Sequence, residues 1–566
     1  MPTNRHFPTR EERKKLKNGF IDSTCLIPRA VQAPSPDISA GSEDDALSRI
    51  SGMGRLWRLD PSFLLLLGIL LLSLSLRWVR LGEKSLWIDE IWSIGISRLP
   101  WHAFLWVVRN QDPNTSLYYA LLHLWTRLGN SESTVRAMSV LFAVGTVPGV
   151  YALGNRLFGK AEGLIASALL AVNAFHIQWS QEARGYSLVV LLVTLSSLMF
   201  VICMERPSRR NWALYALISV LAVYAHLYAV LVLGSHWVSL IFLRRREVPW
   251  KGLIGSAGVI GTLMVPLALL FSARAKDPFV PLGWLPNATW AAVYDVFYSL
   301  AGNAEFPGSH GGKSILIAYF VLCLMAVLPA IKGWHRSENS SHLWHLGLLL
   351  SWLFVPIASI LAISVMQPMM MSRYLLICVP AITLLAARGI QSIRFRWVSG
   401  IVLMVVMGLA GLRLPQYFQG RASFLEWKSV TDRVLAQARP GDAIIFCVAP
   451  GRLLFDYYRE KYHHGVDGRL DIVYPQFTAE QENQDPRTLD YLPPISNGFV
   501  DSVAANHDRV WVVVYHDHFA LTREASRRIE EGLSAKLPEV WQSRIDGVTL
   551  FLYSRASDAK QLLPLN

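Results

Sequence analysis

Eleven long apolar runs, separated by short polar turns, constrain this chain more than any other feature. They fall near 61–79, 136–154, 163–179, 186–204, 212–225, 228–243, 252–271, 314–331, 343–365, 374–390 and 397–413. A helix of roughly 20 apolar residues crosses a bilayer because it satisfies all its backbone hydrogen bonds internally. The expected fold is therefore a polytopic α-helical membrane protein with about 11 spans. Charged residues make up only 17% of the 566, where a soluble chain carries about 25%. The 20 Trp residues gather near the ends of the runs, as interfacial belts require.

The basic residues indicate orientation. With the N-terminus inside, the short inner loops hold Arg156 and Lys160, Arg206 with Arg209 and Arg210, Arg244 to Arg246 with Lys251, Lys332 with Arg336, and Arg388 with Arg394 and Arg396. The short outer turns hold little beyond Arg184 and Arg373. This is the positive-inside pattern. It places Ser116–Leu128, apolar but short, as an interfacial helix, since a twelfth span would reverse every later loop. The net charge of +13 is thereby explained by topology, and no nucleic-acid motif accompanies it. A multi-pass protein of a bacterial inner membrane is expected.

Three regions differ in composition. Residues 1–60 are polar, with a basic stretch at Arg10–Lys17, and read as a disordered cytosolic arm. The membrane domain covers 61–415, with long outer loops at 80–135 and 272–313. The second loop carries Asp277, Glu305 and a Gly-rich Pro307–Gly312 stretch, and its length suits a substrate lid. From 421 to 566, alternating strand and helix patterns predict a small extracytoplasmic α/β domain. It has no nucleophile elbow or dinucleotide fingerprint, so support or acceptor recognition is its expected role. The five cysteines lack metal-ligand spacing and imply no redox chemistry.

Ser85-Leu86-Trp87-Ile88-Asp89-Glu90-Ile91-Trp92-Ser93 follows the first run and sets two carboxylates among aromatic residues at a membrane face. Such a site can hold a charged base beside a lipid-borne substrate. Together with Asp112-Pro113-Asn114-Thr115-Ser116-Leu117-Tyr118-Tyr119, Glu132–Arg136, Gly154–Gly159, His176–Tyr186 and Ser372-Arg373-Tyr374-Leu375, it resembles the C-type membrane glycosyltransferases. The resemblance is closer to bacterial relatives of the protein O-mannosyltransferases and of the lipid A aminoarabinose transferase, the glycosyltransferase 39-like group. It covers about residues 60–415 and is densest over 80–200.

The resemblance implies transfer of a sugar from a polyprenyl-phosphate carrier to a hydroxyl-bearing acceptor outside the cytoplasm. A protein, lipid A or a polysaccharide intermediate would each serve as acceptor. That chemistry needs a base, cations for the leaving phosphate and an apolar groove for the lipid. Asp89 is the expected base in a direct, inverting attack; its alternative reading is a helix cap. Glu90 would orient the acceptor, bind a divalent cation or pair with an Arg. Arg184 and Arg373 are expected on the donor phosphate, Arg373 with Tyr374 beside it. Their structural alternatives are an ion pair between Arg184 and Glu182 and an interfacial anchor at Arg373. Glu182, Asp112 and His226 are the supporting acid or acceptor-binding candidates, although Asp112-Pro113 also reads as a turn and His226 as an interfacial residue. Carboxylates suit a hard divalent ion, but two acids do not define a metal site. The competing class is a lipid-linked glycan transporter or flippase, which also needs apolar spans and outward carboxylates. No internal repeat of the kind many transporters carry supports it.

Overall fold

The computed structural model describes residues 60–110, 113–274, 288–305, 312–333, 340–420, 426–447, 449–462, 470–474, 497–515, 520–545 and 547–555. The arm up to residue 59, Asp112, and residues 275–287 and 306–311 of the second loop lie outside them.

The apolar runs fold as helices. α1 (Pro61–Trp78) leads to a loop region of three short helices, α2 (Ile88–Arg98), α3 (Trp101–Asn110) and α4 (Ser116–Trp125). The helical bundle continues through α5 (Glu132–Leu157), α6 (Lys160–Val172), α7 (Ala174–Ser180), α8 (Tyr186–Glu205), α9 (Arg209–Ala225), α10 (Ala229–Ser239) and α11 (Trp250–Arg274). After α12 (Trp290–Leu300) come α13 (Lys313–Gly333) and α14 (Ser340–Ser364). A 3-10 turn at Ser372–Cys378 then feeds α15 (Val379–Gln391), followed by α16 (Arg396–Gly411) and α17 (Leu414–Gly420).

Among the described residues, seven helices are long and apolar enough to cross a membrane. The chain is a multi-pass integral membrane protein. The other four expected spans are shorter pieces. Ala229–Phe242 and Lys313–Pro329 are short apolar helices, and α9 has 17 residues. The run at 163–179 breaks at Asn173, whose side-chain Oδ1 accepts the His176 amide (2.9 Å) and starts α7 anew. Ser116–Leu128 forms a 10-residue helix and one 3-10 turn, too short to span.

The bundle core is built by α5 packing on α6 and α8, α8 on α9, and α15 on α6 and α13. Glycines let α5 and α6 approach closely. A Cβ at Gly154 would stand 2.8 Å from the Gly163 Cα, and one at Gly163 would stand 2.7 Å from the Tyr151 carbonyl. At their junction Gly159 has φ +134°, a conformation other residues avoid.

The C-terminal domain contains α18 (Trp427–Gln437), β1 (Asp442–Phe446), α19 (Ala449–Tyr462), β2 (Leu470–Tyr474), α20 (Asn497–Asn506), β3 (Arg509–Tyr515), α21 (Ala520–Ser534), β4 (Glu539–Ile545) and β5 (Val548–Ser554). The sheet order is β2-β1-β3-β5-β4. β1 runs parallel to β2 and β3, while β5 runs antiparallel to β3 and β4. Side chains alternate between two faces, as strands dictate. Ala443, Ile445, Val510, Val512 and Val514 pack with Val500 of α20 and Ile529 and Leu533 of α21. Ile444, Phe446, Trp511, Val513 and Tyr515 pack with Trp427 and Leu454, and this cluster is continuous with the core of the helical bundle.

Candidate active site

Trp87 has an extended backbone and α2 begins directly after it, so Asp89 and Glu90 occupy the first helical turn. Acidic side chains there face the positive end of the helix dipole. The two carboxylates then part. Glu90 is fully buried. Its Oε1 accepts from Arg136 Nε (2.8 Å) and from the Ala183 amide (2.8 Å), and its Oε2 from Arg136 Nη2 (2.6 Å). Arg136, also fully buried, donates further to the carbonyls of Leu81 (3.0 Å), Lys84 (2.8 Å) and Ser85 (3.1 Å). Burial alone would raise the Glu90 carboxyl, but the charge and hydrogen bonds of Arg136, with Lys84 and the Ala183 amide, hold it below the ordinary carboxylate range. Of the roles considered for Glu90, the geometry realises the pairing with an arginine. The pair clamps the Leu81–Ser85 loop to the start of α5.

Asp89 is half-buried, and its charge acts on Arg373, Tyr186 and Tyr515. Arg184 approaches from the turn before α8. Its Nη1 donates to the Asp89 carbonyl (3.3 Å), Ser93 Oγ (3.2 Å) and the Tyr119 hydroxyl (3.3 Å). Its guanidinium carbon lies 5.9 Å from the Tyr186 ring centre. Arg373 sits within 5.7 Å of the ring centres of Trp87, Trp179 and Tyr374. Tyr374 contacts Tyr186, Tyr228 and His226, the last at 5.5 Å between ring centres. His226 Nδ1 accepts the Tyr228 amide (3.2 Å), which fixes the ring as part of this wall. One carboxylate and two guanidinium groups thus converge inside an aromatic enclosure at the loop face of the bundle.

Of the two readings of Arg184, its contacts among the described residues favour the reach to α2 over an ion pair with Glu182. Glu182 meets Lys84 Nζ at 2.9 Å, while Arg184 reaches toward α2. The His176–Tyr186 segment accounts for most of this construction. His176 Nδ1 meets Arg77 (2.7 Å), Gln178 Oε1 accepts the Glu305 amide (2.7 Å), and Gln181 Nε2 donates to the Arg77 and Val79 carbonyls (2.8 and 2.9 Å). Arg77 itself donates to the Leu170 and Ala171 carbonyls at the end of α6, where a cation is favoured.

Several residues carried no role in the sequence reading. Arg136 was visible as an arginine opening an apolar helix, a position that calls for an acidic partner. Glu305 lies beside Arg373 and Ser372; burial raises its carboxyl to about 6, with Arg373 opposing the rise. Tyr458 and Tyr515 come from the C-terminal domain. The Tyr458 hydroxyl accepts the Leu86 amide at 2.7 Å, two residues before α2. Asp112 is outside the described residues. Among the described residues no three His, Cys, Asp or Glu side chains group as a metal site. Arg136 engages both Glu90 oxygens.

The fold and the ordered segments around this site resemble the C-type membrane glycosyltransferases. Residues 114–270 match the family described as dolichyl-phosphate-mannose-protein mannosyltransferase. The fold is similar to that of ArnT from Cupriavidus metallidurans in the apo state, with a TM-score of 0.53 at 11% identity over 86% of this chain and 97% of that one. The same protein bound to undecaprenyl phosphate gives a TM-score of 0.51 at 11% identity, over 87% of this chain and 98% of that one. No curated protein matches the chain.

Proposed function

We propose that this chain is a membrane glycosyltransferase that moves a sugar from a polyprenyl-phosphate carrier to a hydroxyl on an extracytoplasmic acceptor, with inversion. The observation that carries the reading is the convergence of Asp89, Arg184 and Arg373 within one aromatic enclosure at the end of the apolar helices. A protein of similar fold is known with undecaprenyl phosphate bound, which supports a polyprenyl-phosphate donor.

Asp89 accepts the proton of the acceptor hydroxyl as its oxygen attacks the anomeric carbon. The bond from that carbon to the phosphate oxygen breaks, and the electron pair leaves with the polyprenyl phosphate. Arg184 and Arg373 hold the phosphate oxygens, where a guanidinium fork matches their geometry. Fixed charges in a largely dry site stabilise the departing anion without reorganising at the moment of reaction. Glu90 contributes through Arg136, by fixing the helix that carries Asp89.

The test is the mass of candidate acceptors after incubation of purified protein with a panel of polyprenyl-phosphate sugars. Wild type is expected to add a sugar, and Asp89→Asn to lose at least about 100-fold in rate while inserting normally. Full transfer by Asp89→Asn would overturn the base assignment. Donor movement across a vesicle membrane with no new glycosidic bond would favour the transporter class.

A further inference from the structure

The residues that lead into α2 are held from two sides. On the bundle side, Arg136 donates to the Lys84 and Ser85 carbonyls, and Glu90 Oε2 accepts the Trp87 amide (3.4 Å). The C-terminal domain holds the other side. Ser85 Oγ donates to Glu426 (3.3 Å) and accepts the Lys428 amide (3.2 Å) at the start of α18. The Tyr458 hydroxyl, from α19, accepts the Leu86 amide at 2.7 Å.

Leu86 is 0% exposed, so its amide depends on a protein acceptor, and a buried N–H left without one is costly. Tyr458 is 1% exposed, with its ring against those of Tyr457 and Tyr462, at 5.1 and 6.1 Å between centres. Leu86 and Tyr458 share one buried cluster with Ile91 of α2. Packing thus fixes the Tyr458 ring, and its hydroxyl is aimed at the loop. Other contacts of α19 land elsewhere. The Tyr457 hydroxyl donates to the Asn130 carbonyl (2.8 Å), Lys461 pairs with Glu132, the first residue of α5, and the Tyr462 hydroxyl reaches the same carboxylate (3.3 Å). Those bonds dock the domain on the start of α5. Tyr458 instead holds the segment that sets where α2 begins.

We propose that Tyr458 is a positioning residue of the active site: by pinning the Leu86 amide, its hydroxyl sets the start of α2 and so the placement of Asp89 against the acceptor. The proposal rests on Asp89 being the base. Leu86 stands three residues before Asp89, and Trp87 between them is the residue from which α2 starts. A misplacement of about 1 Å at a reacting group costs up to ~100-fold in rate. Arg184 and Arg373 are carried by other elements, the turn before α8 and the 3-10 turn, so the contacts assigned to the donor do not run through Tyr458.

The decisive variant is Tyr458→Phe, which keeps the ring and removes the acceptor. Tyr457→Phe, which removes the Asn130 bond from the same helix, is the control for docking. Two readouts are taken on the full-length protein. Hydrogen exchange across residues 81–87, which needs no turnover, is expected to quicken in Tyr458→Phe and to keep the wild-type rate in Tyr457→Phe. Transfer kcat is expected to fall about 10-fold in Tyr458→Phe, with donor KM unchanged, and to hold within about 2-fold in Tyr457→Phe. Equal kcat losses in the two variants would reduce the contact to docking and overturn the proposal. So would a kcat loss with unchanged exchange, or an unchanged kcat in Tyr458→Phe beside an active wild type, which leaves the glycosyltransferase reading intact. A wild type that transfers no sugar to any acceptor would overturn that reading, and the positioning role with it. Ser85→Ala opens the other clasp from the loop side and is expected to lower kcat with donor KM unchanged. If Tyr458→Phe does not fold, an unchanged kcat in Ser85→Ala overturns the proposal.

Discussion

Asp89 and Glu90 diverge because α2 has already begun at Ile88, and successive helical residues point about 100° apart. One carboxylate faces the arginine enclosure; the other turns inward to Arg136. Glu90→Gln should therefore act on stability. It leaves a buried guanidinium without its counter-charge, a loss of about 3–5 kcal/mol, measurable as lowered thermal stability in detergent. Adding Arg136→Met should recover much of the loss. The native pair also has a pH signature. A carboxyl held below its ordinary range stabilises the fold above that range, and the contribution fades as pH falls below about 4. Glu305 behaves in the opposite sense. With its carboxyl raised to about 6, it is neutral in mild acid and anionic at pH 7. On the proposed donor site, the ionised form would compete with the donor phosphate for Arg373. Donor affinity should fall roughly 5-fold from about pH 5 to pH 7, the effect of about 1 kcal/mol from one partly screened charge. Equilibrium binding of a donor analogue would measure it, and Glu305→Gln should flatten the curve.

At the scale of elements, the Gly154–Gly159 segment shows how a motif near a site can be architectural. Gly154 and Gly163 let two helix backbones touch, and α5 carries Arg136 while α6 ends under Arg77. Gly163→Val would drive a side chain into the Tyr151 carbonyl. Overpacking of this kind costs about 1–3 kcal/mol, so a lower melting temperature is expected, with the remaining folded protein keeping its donor affinity. The apolar runs were legible because a membrane helix must be apolar along its length. The break at Asn173 was hidden, since a polar residue inside an apolar run reads as a tolerated exception until its side chain is seen capping the next helix. In the C-terminal domain, β3 was readable as a continuous apolar strand, buried on both faces. α20 follows 475–496, which are outside the described residues, and its short Asn497–Asn506 pattern carried little periodicity of its own.

For the whole molecule, Asp89, Arg184, Arg373 and His226 were nameable from the sequence because polar groups at membrane faces are few. What stayed hidden is which of them meet. The Glu90 and Arg136 partners stand 46 residues apart, and Leu86 and Tyr458 stand 372 apart. Nothing local in either segment encodes such a pairing. That separation has a consequence for the making of the protein. The loop bearing Asp89 leaves the ribosome well before the Tyr458 that braces it, 372 residues further along from Leu86. At about 5–20 residues per second, on the order of 20–80 s pass between them. Through that interval the nascent chain already holds its first apolar helices but lacks the Tyr458 contact to the loop bearing Asp89; on the proposed function, a chain released early is expected to transfer no sugar. On the proposed function, synthesis of the C-terminal domain is the step that braces the loop for transfer.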